Sequence, residues 1–326
     1  MKRKSIFNIQ GINEFEQFAL EIFQFQAQHN SVYKEFLSHL KTDIFAIKNV
    51  KDIPFLPIQF FKTHQIVSSQ EPIQKTFLSS GTTGMQQSKH LVTDVAIYEE
   101  SFRKGFEYFY GNIEEYTILA LLPSYLERDG SSLIYMVDDL IQQSKKPKSG
   151  FYLNNLDELA KNLKILDEKG EKILLIGVSF ALLDLVESYN FQLKNTVVME
   201  TGGMKGRRKE LIREELHEIL CSGFGVDKIH SEYGMTELLS QGYSKGNGIF
   251  ECPPWMKILT RDTEDALTML PEGKSGGINV VDLANVNSCS FIATQDLGKT
   301  YANNTFEVLG RFDNSDIRGC NLLLLK

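Results

Sequence analysis

The chain has 326 residues, 42% of them hydrophobic, enough to bury a large core in one big domain or two intimate ones. A formal charge of -7 leaves no basic footprint for nucleic acid, so an anionic ligand has to be gripped by a local site. The cysteines Cys221, Cys252, Cys289 and Cys320 are scattered without CxxC spacing, which argues against zinc and against a disulfide scaffold and suits a reducing cytoplasm.

Taken from the start, Met1-Lys2-Arg3-Lys4 is basic, but no long apolar core follows it, so it does not read as a signal peptide. Apolar residues then recur at helical spacing from Ile12 to His29, and a second helical stretch runs from Val32 to Leu40. The aromatic stripe on the first, Phe15 to Phe23, fits plain core better than an acyl pocket. Pro54 and Pro57 break that pattern, and Phe60-Phe61-Lys62 leads on towards Phe77.

There the chain reads Leu78-Ser79-Ser80-Gly81-Thr82-Thr83-Gly84. An apolar entry, several hydroxyls and two glycines let backbone N–H groups converge on an anion, which describes a phosphate cradle. It is neither a Walker A loop nor a dinucleotide fingerprint, since no Gly-Lys-Ser/Thr ends it and the glycines are spaced differently.

Helical period returns from Asp94 to Phe109, and Tyr116 to Leu122 reads as a buried strand stopped by Pro123. A loop from Ser124 to Gly130 hands over to a helix carrying Leu133, Met136, Val137 and Leu140. Strand then helix repeats, Lys172 to Gly177 into Phe180 to Ser188 and Asn195 to Glu200 into Arg207 to Leu220. Such alternation predicts an α/β domain with a largely parallel central sheet, whose ligands sit at the carboxyl ends of the strands. The apolar stretch from Ile173 to Val186 is broken by Gly177, Ser179 and Asp184 and is too short to span a bilayer. Past Glu237 the runs become short and strand-like, Met256 to Thr260, Gly277 to Asp282 and Ser290 to Ala293, which predicts a β-rich subdomain.

Four further stretches have chemical content. Thr201-Gly202-Gly203 puts a glycine pair after a strand, where a flat ring can approach backbone. Ser231-Glu232-Tyr233-Gly234-Met235-Thr236-Glu237 offers an aromatic face, a hydroxyl and a carboxylate. Thr294-Gln295-Asp296-Leu297-Gly298 places an acid, suited to a ribose diol, just after the strand around Phe291, and Gly310-Arg311-Phe312-Asp313 adds a guanidinium.

In this order the stretches resemble the adenylate-forming superfamily of acyl-CoA synthetases, luciferases and peptide-synthetase adenylation domains. Within it, Ser79 to Gly84, Leu122 to Arg128 with Ser131-Ser132-Leu133, and Arg318-Gly319-Cys320-Asn321-Leu322 resemble LuxE-type acyl-protein synthetases, the long-chain-fatty-acid luciferin-component ligases. The resemblance runs from about Phe77 to Gly319 and implies a large amino-terminal domain of parallel sheets flanked by helices, plus a β-rich subdomain. The expected division is a helical region at 1–75, a nucleotide-binding core at 76–245 and the β-rich part at 246–326, without the mobile carboxyl-terminal domain of larger relatives.

The same resemblance implies ATP, Mg²⁺ and a carboxylic, fatty acid as ligands. Ser79, Ser80, Thr82 and Thr83 would hold the β- and γ-phosphates with the amides of Gly81 and Gly84. Gly202 and Gly203 would face the adenine, and Tyr233, beside Gly234, would stack on it. Thr236 would contact the α-phosphate, Glu237 would hold Mg²⁺, and Asp296 and Arg311 would bind the ribose. Cys320 would accept the acyl group as a thioester and pass it to a reductase or carrier protein, with coenzyme A as the alternative acceptor.

The sequence departs from the family pattern in three places. Gly84-Met85-Gln86-Gln87-Ser88-Lys89 stands where Gly-x-Pro-Lys-Gly is usual, so the loop lysine is either absent or displaced to Lys89. Gln295 replaces a glycine before Asp296, and the domain that carries the catalytic lysine of larger relatives is expected to be absent. Lys89, Lys299, Arg318 or a partner protein would then supply the cation.

Two other readings stand beside this one. The chain could be a weak or inactive adenylate-binding partner subunit, or Gly177-Val178-Ser179-Phe180-Ala181 could be a nucleophile elbow that makes it a serine acyltransferase or hydrolase through Ser179.

Overall fold

Residues 6–80, 86–122, 130–152, 155–202, 208 and 211–311 are described by the computed structural model. The chain falls into two packed units, one of residues 1–101, 236–240 and 251–326, the other of residues 102–235 and 241–250. Of the segments expected from sequence, 1–75 lies in the first unit, 76–245 is shared between them, and 246–326 lies in the first apart from 246–250.

The amino-terminal part is helical where its period demands it. Helix α1 (Ile12–His29) buries Phe15, Ala19, Ile22 and Phe23 along one face. Asn30 then starts α2 (Ser31–His39), its side chain accepting a hydrogen bond from the Tyr33 N–H at 3.0 Å. The short β1 (Leu56–Pro57) and α3 (Phe60–Thr63) precede the hairpin strands β2 (Lys75–Leu78) and β3 (Lys89–Val92). There follow α4 (Val95–Tyr110), β4 (Tyr116–Leu121), α5 (Ser132–Ser144), β5 (Gly150–Phe151), α6 (Leu156–Glu168), β6 (Lys172–Gly177) and α7 (Ser179–Ser188). Next come β7 (Thr196–Thr201), α8 (Arg213–Phe224), β8 (His230–Tyr233), β9 (Gly242–Ser244) and β10 (Ile249–Glu251). The last described strands are β11 (Met256–Arg261), β12 (Ser275–Asp282), β13 (Phe291–Thr300) and β14 (Thr305–Arg311).

In the second unit the strands lie in the order β5-β4-β6-β7-β8-β9, parallel from β5 to β8 and antiparallel at β9. Ile118, Leu119, Ala120, Ile173 and Leu175 are fully buried, the continuous apolar pattern of strands covered on both faces. The α/β expectation holds here. Helix α8, expected from Arg207, begins at Arg213 instead and stops at Gly225, whose φ of 67° and N–H bond to the Cys221 carbonyl close the last turn.

In the first unit β11, β12, β13 and β14 form an antiparallel meander, and β1 pairs parallel to β13. Its core centres on Phe291, whose ring meets Phe23, Tyr33 and Phe55 at 6.0 to 6.5 Å. The helical aromatics thus serve packing. One correction concerns β13, expected to end near Ala293. It runs on to Thr300, because β12 pairs with Phe291–Ala293 and again with Leu297–Lys299 and β14 with Asp296–Thr300, so Thr294-Gln295-Asp296 lies within the strand where the β12 register shifts. Turn-like residues are carried there by a ladder, with the register shifting between Leu297 and Gly298.

Asp282, fully buried at the end of β12, holds the 236–240 segment in place. Its carboxylate accepts from the N–H groups of Leu239 (2.8 Å), Ser240 (3.0 Å) and Ala284 (3.1 Å) and from the Ser240 hydroxyl (2.6 Å). Four donors on one carboxylate leave no acceptor capacity unused. Among the described residues no helix is long and apolar enough to cross a membrane. Replacing Asp282 with Asn sets an amide N–H₂ against these donors, and the urea midpoint is expected to fall by the equivalent of about 2 kcal/mol with an unchanged m-value.

Candidate active site

The first unit gathers one group of motif residues. Hairpin β2–β3 is zipped to its neck: Leu78 pairs with Lys89, the Ser79 N–H donates to the Ser88 carbonyl (3.1 Å), and the Ser88 N–H donates to Ser79 Oγ (2.8 Å). Gln87 adds a side-chain bond to the Ser79 carbonyl (2.9 Å) and Gln86 one to the Lys62 carbonyl (2.6 Å). Ser80 is exposed at the tip of this neck, while Gly81, Thr82, Thr83 and Gly84 lie outside the described residues.

Glu237 is 5% exposed. Burial pushes its carboxyl above the usual carboxylate range, and the Ser88 hydroxyl, its own N–H and the charges of Arg311 and Lys62 pull it back. A buried acid under two cations, tied to the loop's neck, is poised to receive a further cation or a ligand that brings one. Thr236, half-buried, is held by its carbonyl, which accepts from His90 at 2.8 Å.

Strand pairing brings Asp296 opposite Arg311, with Nε 3.6 Å from Oδ1. Behind them Thr294 Oγ1 accepts from the Asp296 N–H (3.1 Å) and donates to the Ile278 carbonyl (2.9 Å). The guanidinium of Arg261, itself buried, braces the same strand through the Thr294 carbonyl (2.6 Å). The acid and guanidinium read from two distant stretches are therefore neighbours on adjacent strands.

The second unit holds the other group. Strand β7 ends at Thr201, and Gly202 turns the chain with a φ of 66°, a left-handed conformation that side chains disfavour. Thr201 pairs with Glu232 across the parallel β7–β8 ladder, so Gly202 and Tyr233 follow at the same level, at the carboxyl ends of the strands. Tyr233 is 8% exposed and meets Phe250 edge-on at 6.1 Å. Glu232 Oε2 accepts from Thr201 Oγ1 (2.6 Å), and its Oε1 lies against Gly234, where a Cβ would collide with it. Gly203 lies outside the described residues. A groove of about 710 Å³ at the opposite, amino end of β4 and β6, lined by Thr117, Lys161 and Glu171 among others, contains none of the motif residues.

Three of the side chains read from the sequence are placed as follows. Lys89 is exposed on β3, on the opposite face from His90, and Lys62 is the lysine whose charge acts on Glu237. Lys299 sits over the Tyr301 ring at 4.9 Å. Ser179 is 2% exposed and donates to Glu200 Oε2 and the Gly202 carbonyl (3.2 Å each), while His217 lies on the other oxygen of Glu200 at 3.7 Å. The hydroxyl faces the Glu200 carboxylate, and the imidazole lies beyond it on the other oxygen of that carboxylate, not against the hydroxyl.

Cys320 and Arg318 lie outside the described residues. The thiols of Cys221, Cys252 and Cys289 are each pushed up by burial, away from thiolate character.

The sequence pattern of LuxE acyl-protein synthetases matches residues 10–116 and 135–326. The chain belongs to the LuxE acyl-protein synthetase family. Its fold is that of adenylate-forming ligases. It is similar to ATP-bound MatB from Rhodopseudomonas palustris, with a TM-score of 0.57 and 15% identity over 74% of this chain and 49% of that one. It is similar also to 2-hydroxyisobutyryl-CoA ligase with 2-HIB-AMP and CoA in the thioesterification state, with a TM-score of 0.68 and 14% identity over 94% of this chain and 70% of that one. The chain spans about half the length of the MatB structures. Comparison with curated proteins gives no match.

For this LuxE-family chain, motif reading alone passed over Ser88, Lys62 and His90, none of which sits in a distinctive local pattern. One pH dependence follows from the second unit. Burial and the Glu200 charge push the Glu232 carboxyl up to about 7. Between the ordinary carboxylate range and pH 7 the folded chain therefore holds a proton that the unfolded chain has lost, and this stabilisation fades as pH rises through 7. Glu232→Gln is expected to melt higher than the wild type at pH 8, with the difference closing by pH 5, as read by thermal denaturation at the two pH values.

Proposed function

We propose that this chain activates a carboxylic acid with ATP, releasing pyrophosphate and forming an acyl-adenylate, and then transfers the acyl group to a thiol. The observation that carries the reading is the gathering inside one unit of the Ser79–Ser88 neck, the buried Glu237 under Lys62 and Arg311, and the Asp296–Arg311 pair. Family membership supports an acyl substrate and a protein acceptor. The ATP of the MatB structure and the adenylate and CoA of the 2-hydroxyisobutyryl-CoA ligase structure support the nucleotide chemistry.

In this reading a carboxylate oxygen of the acid attacks the α-phosphorus and the bond to pyrophosphate breaks. The protein's work is positioning and charge. The hydroxyls of Ser79, Ser80, Thr82 and Thr83 and the amides of Gly81 and Gly84 cradle the outer phosphates, and Thr236 contacts the α-phosphate. Asp296 accepts from the ribose hydroxyls beside Arg311. Gly202 and Gly203 let the adenine approach, with Tyr233, beside Gly234, on its face. Lys62 supplies the positive charge first expected from Lys89.

Among the described residues no three His, Cys, Asp or Glu side chains gather as a metal cluster. A single carboxylate, Glu237, with the Ser88 hydroxyl beside it, nevertheless fits Mg²⁺, which takes most of its ligands from phosphates and water. Bound there, the ion would neutralise phosphate charge. For the second step the Cys320 thiolate would attack the acyl carbonyl carbon, the bond to AMP would break, and the thiol proton would pass to solvent. A fatty acid is the substrate class this family membership favours.

The deciding experiment is ATP–pyrophosphate exchange with a panel of carboxylic acids of graded chain length. Exchange with long-chain acids is expected, and Lys62→Met or Glu237→Gln should lower it by roughly 100-fold. Ligand-dependent thermal stabilisation without exchange would mark a binding subunit instead. Cys320→Ser should keep exchange and lose covalent labelling by radioactive acid; labelling that persists places the acceptor elsewhere.

A further inference from the structure

Among the described residues, His90 is a fully buried titratable side chain to which the motifs give no role. His90 lies on β3, two residues past Ser88, with no exposed surface and its ring edge-on to Phe61 at 5.8 Å. Burial pushes the ring down to about 4, opposed by its two hydrogen-bonding contacts. A phenylalanine would fill the slot beside Phe61 without that cost, so the packing does not call for a histidine.

The polar contacts do. Nδ1 stands 2.8 Å from the Thr236 carbonyl oxygen, which can only accept, so the ring's proton belongs on Nδ1. Nε2 lies 3.0 Å from Asn285 Oδ1, a second acceptor to which a ring protonated on Nδ1 donates nothing, and the Nδ2 of that amide donates to the Glu237 carbonyl at 2.7 Å. One ring, on the strand that follows the Ser79–Ser88 neck, thus bonds the Thr236 carbonyl directly and lies against the amide that donates to the Glu237 carbonyl. The Ser88 hydroxyl, on the same strand approach, meets the Glu237 carboxyl.

We propose that His90 is a positioning residue for adenylation: its Nδ1–H bond to the Thr236 carbonyl fixes the Thr236–Glu237 backbone at a set distance from the Ser79–Ser88 neck. This rests on the nucleotide reading of Thr236 and Glu237 given above. The role is geometric, and it is exerted on kcat. Misplacement of the α-phosphate contacts by about an ångström costs on the order of 100-fold in rate, whereas ATP affinity, spread over many contacts, changes little.

The test compares His90→Asn, His90→Gln and His90→Phe in the full chain. Asn carries its donor near the Nδ1 position and keeps the bond to Thr236; Gln reaches the Nε2 position instead, and Phe keeps only the packing. Pyrophosphate exchange is read as separate kcat and KM for ATP, with thermal melting as the folding control. The expected result is a kcat on the order of 100-fold down in His90→Phe with an unchanged KM, and recovery of most of the loss in His90→Asn but not in His90→Gln. If His90→Phe does not fold, the ranking of Asn above Gln carries the proposal by itself. Wild-type kcat in a folded His90→Phe, or equal kcat in the Asn and Gln variants, overturns it and leaves the nucleotide reading standing. A wild-type chain with neither exchange nor ATP-dependent stabilisation overturns both.

Discussion

The first unit depends on a buried turn whose polar groups have to be matched from outside it. Residues 285–290 carry carbonyls and an N–H that no strand satisfies, and two helices reach in to do so. Gln26 of α1 donates to the carbonyls of Asn285 (3.1 Å) and Val286 (2.9 Å) and accepts from the Ser290 N–H (2.9 Å). Asn30, the cap of α2, donates to the Ser288 carbonyl (3.1 Å). Each such group left unpaired would cost about 1–3 kcal/mol, so the turn has one acceptable position. Through Asn285 that position passes to His90 and to Glu237, which makes the amino-terminal helices part of the site's scaffold as well as its core.

Much of this architecture was legible in the sequence. Buried parallel strands announce themselves as apolar runs, and α1 and α2 as periodic ones, because burial on two faces or on one stripe leaves a pattern in consecutive residues. What stayed hidden is long range. The extension of β13 through Thr294-Gln295-Asp296 is imposed by neighbours, against residues that alone favour a turn. The start of α8 was misread because Ile212, which precedes it, carries no capping side chain, so no local signal marks the boundary.

The site divides in the same way. Asp296 and Arg311 were marked as separate motifs, and only the β13–β14 register makes them a pair. The placement of the lysines has an elementary reason. Lys89 has the right place along the chain, but side chains on a strand alternate, and the inward position at this end of β3 belongs to His90. Lys62 comes from a four-residue helix far upstream and shares no motif with the loop. Charge on Glu237 is thus delivered by a residue that no spacing rule could have connected to it.

The silence of the other nucleophiles has a chemical meaning of its own. A protein that makes a mixed anhydride exposes itself to the product, and any activated oxygen or sulfur nearby becomes a bystander target. Here the Ser179 proton is already given to Glu200 and a backbone oxygen, and the Cys289 thiol is pushed up to about 12. Cys221 and Cys252 are shifted the same way. Low reactivity at these positions keeps Ser179, Cys221, Cys252 and Cys289 from competing as bystander targets.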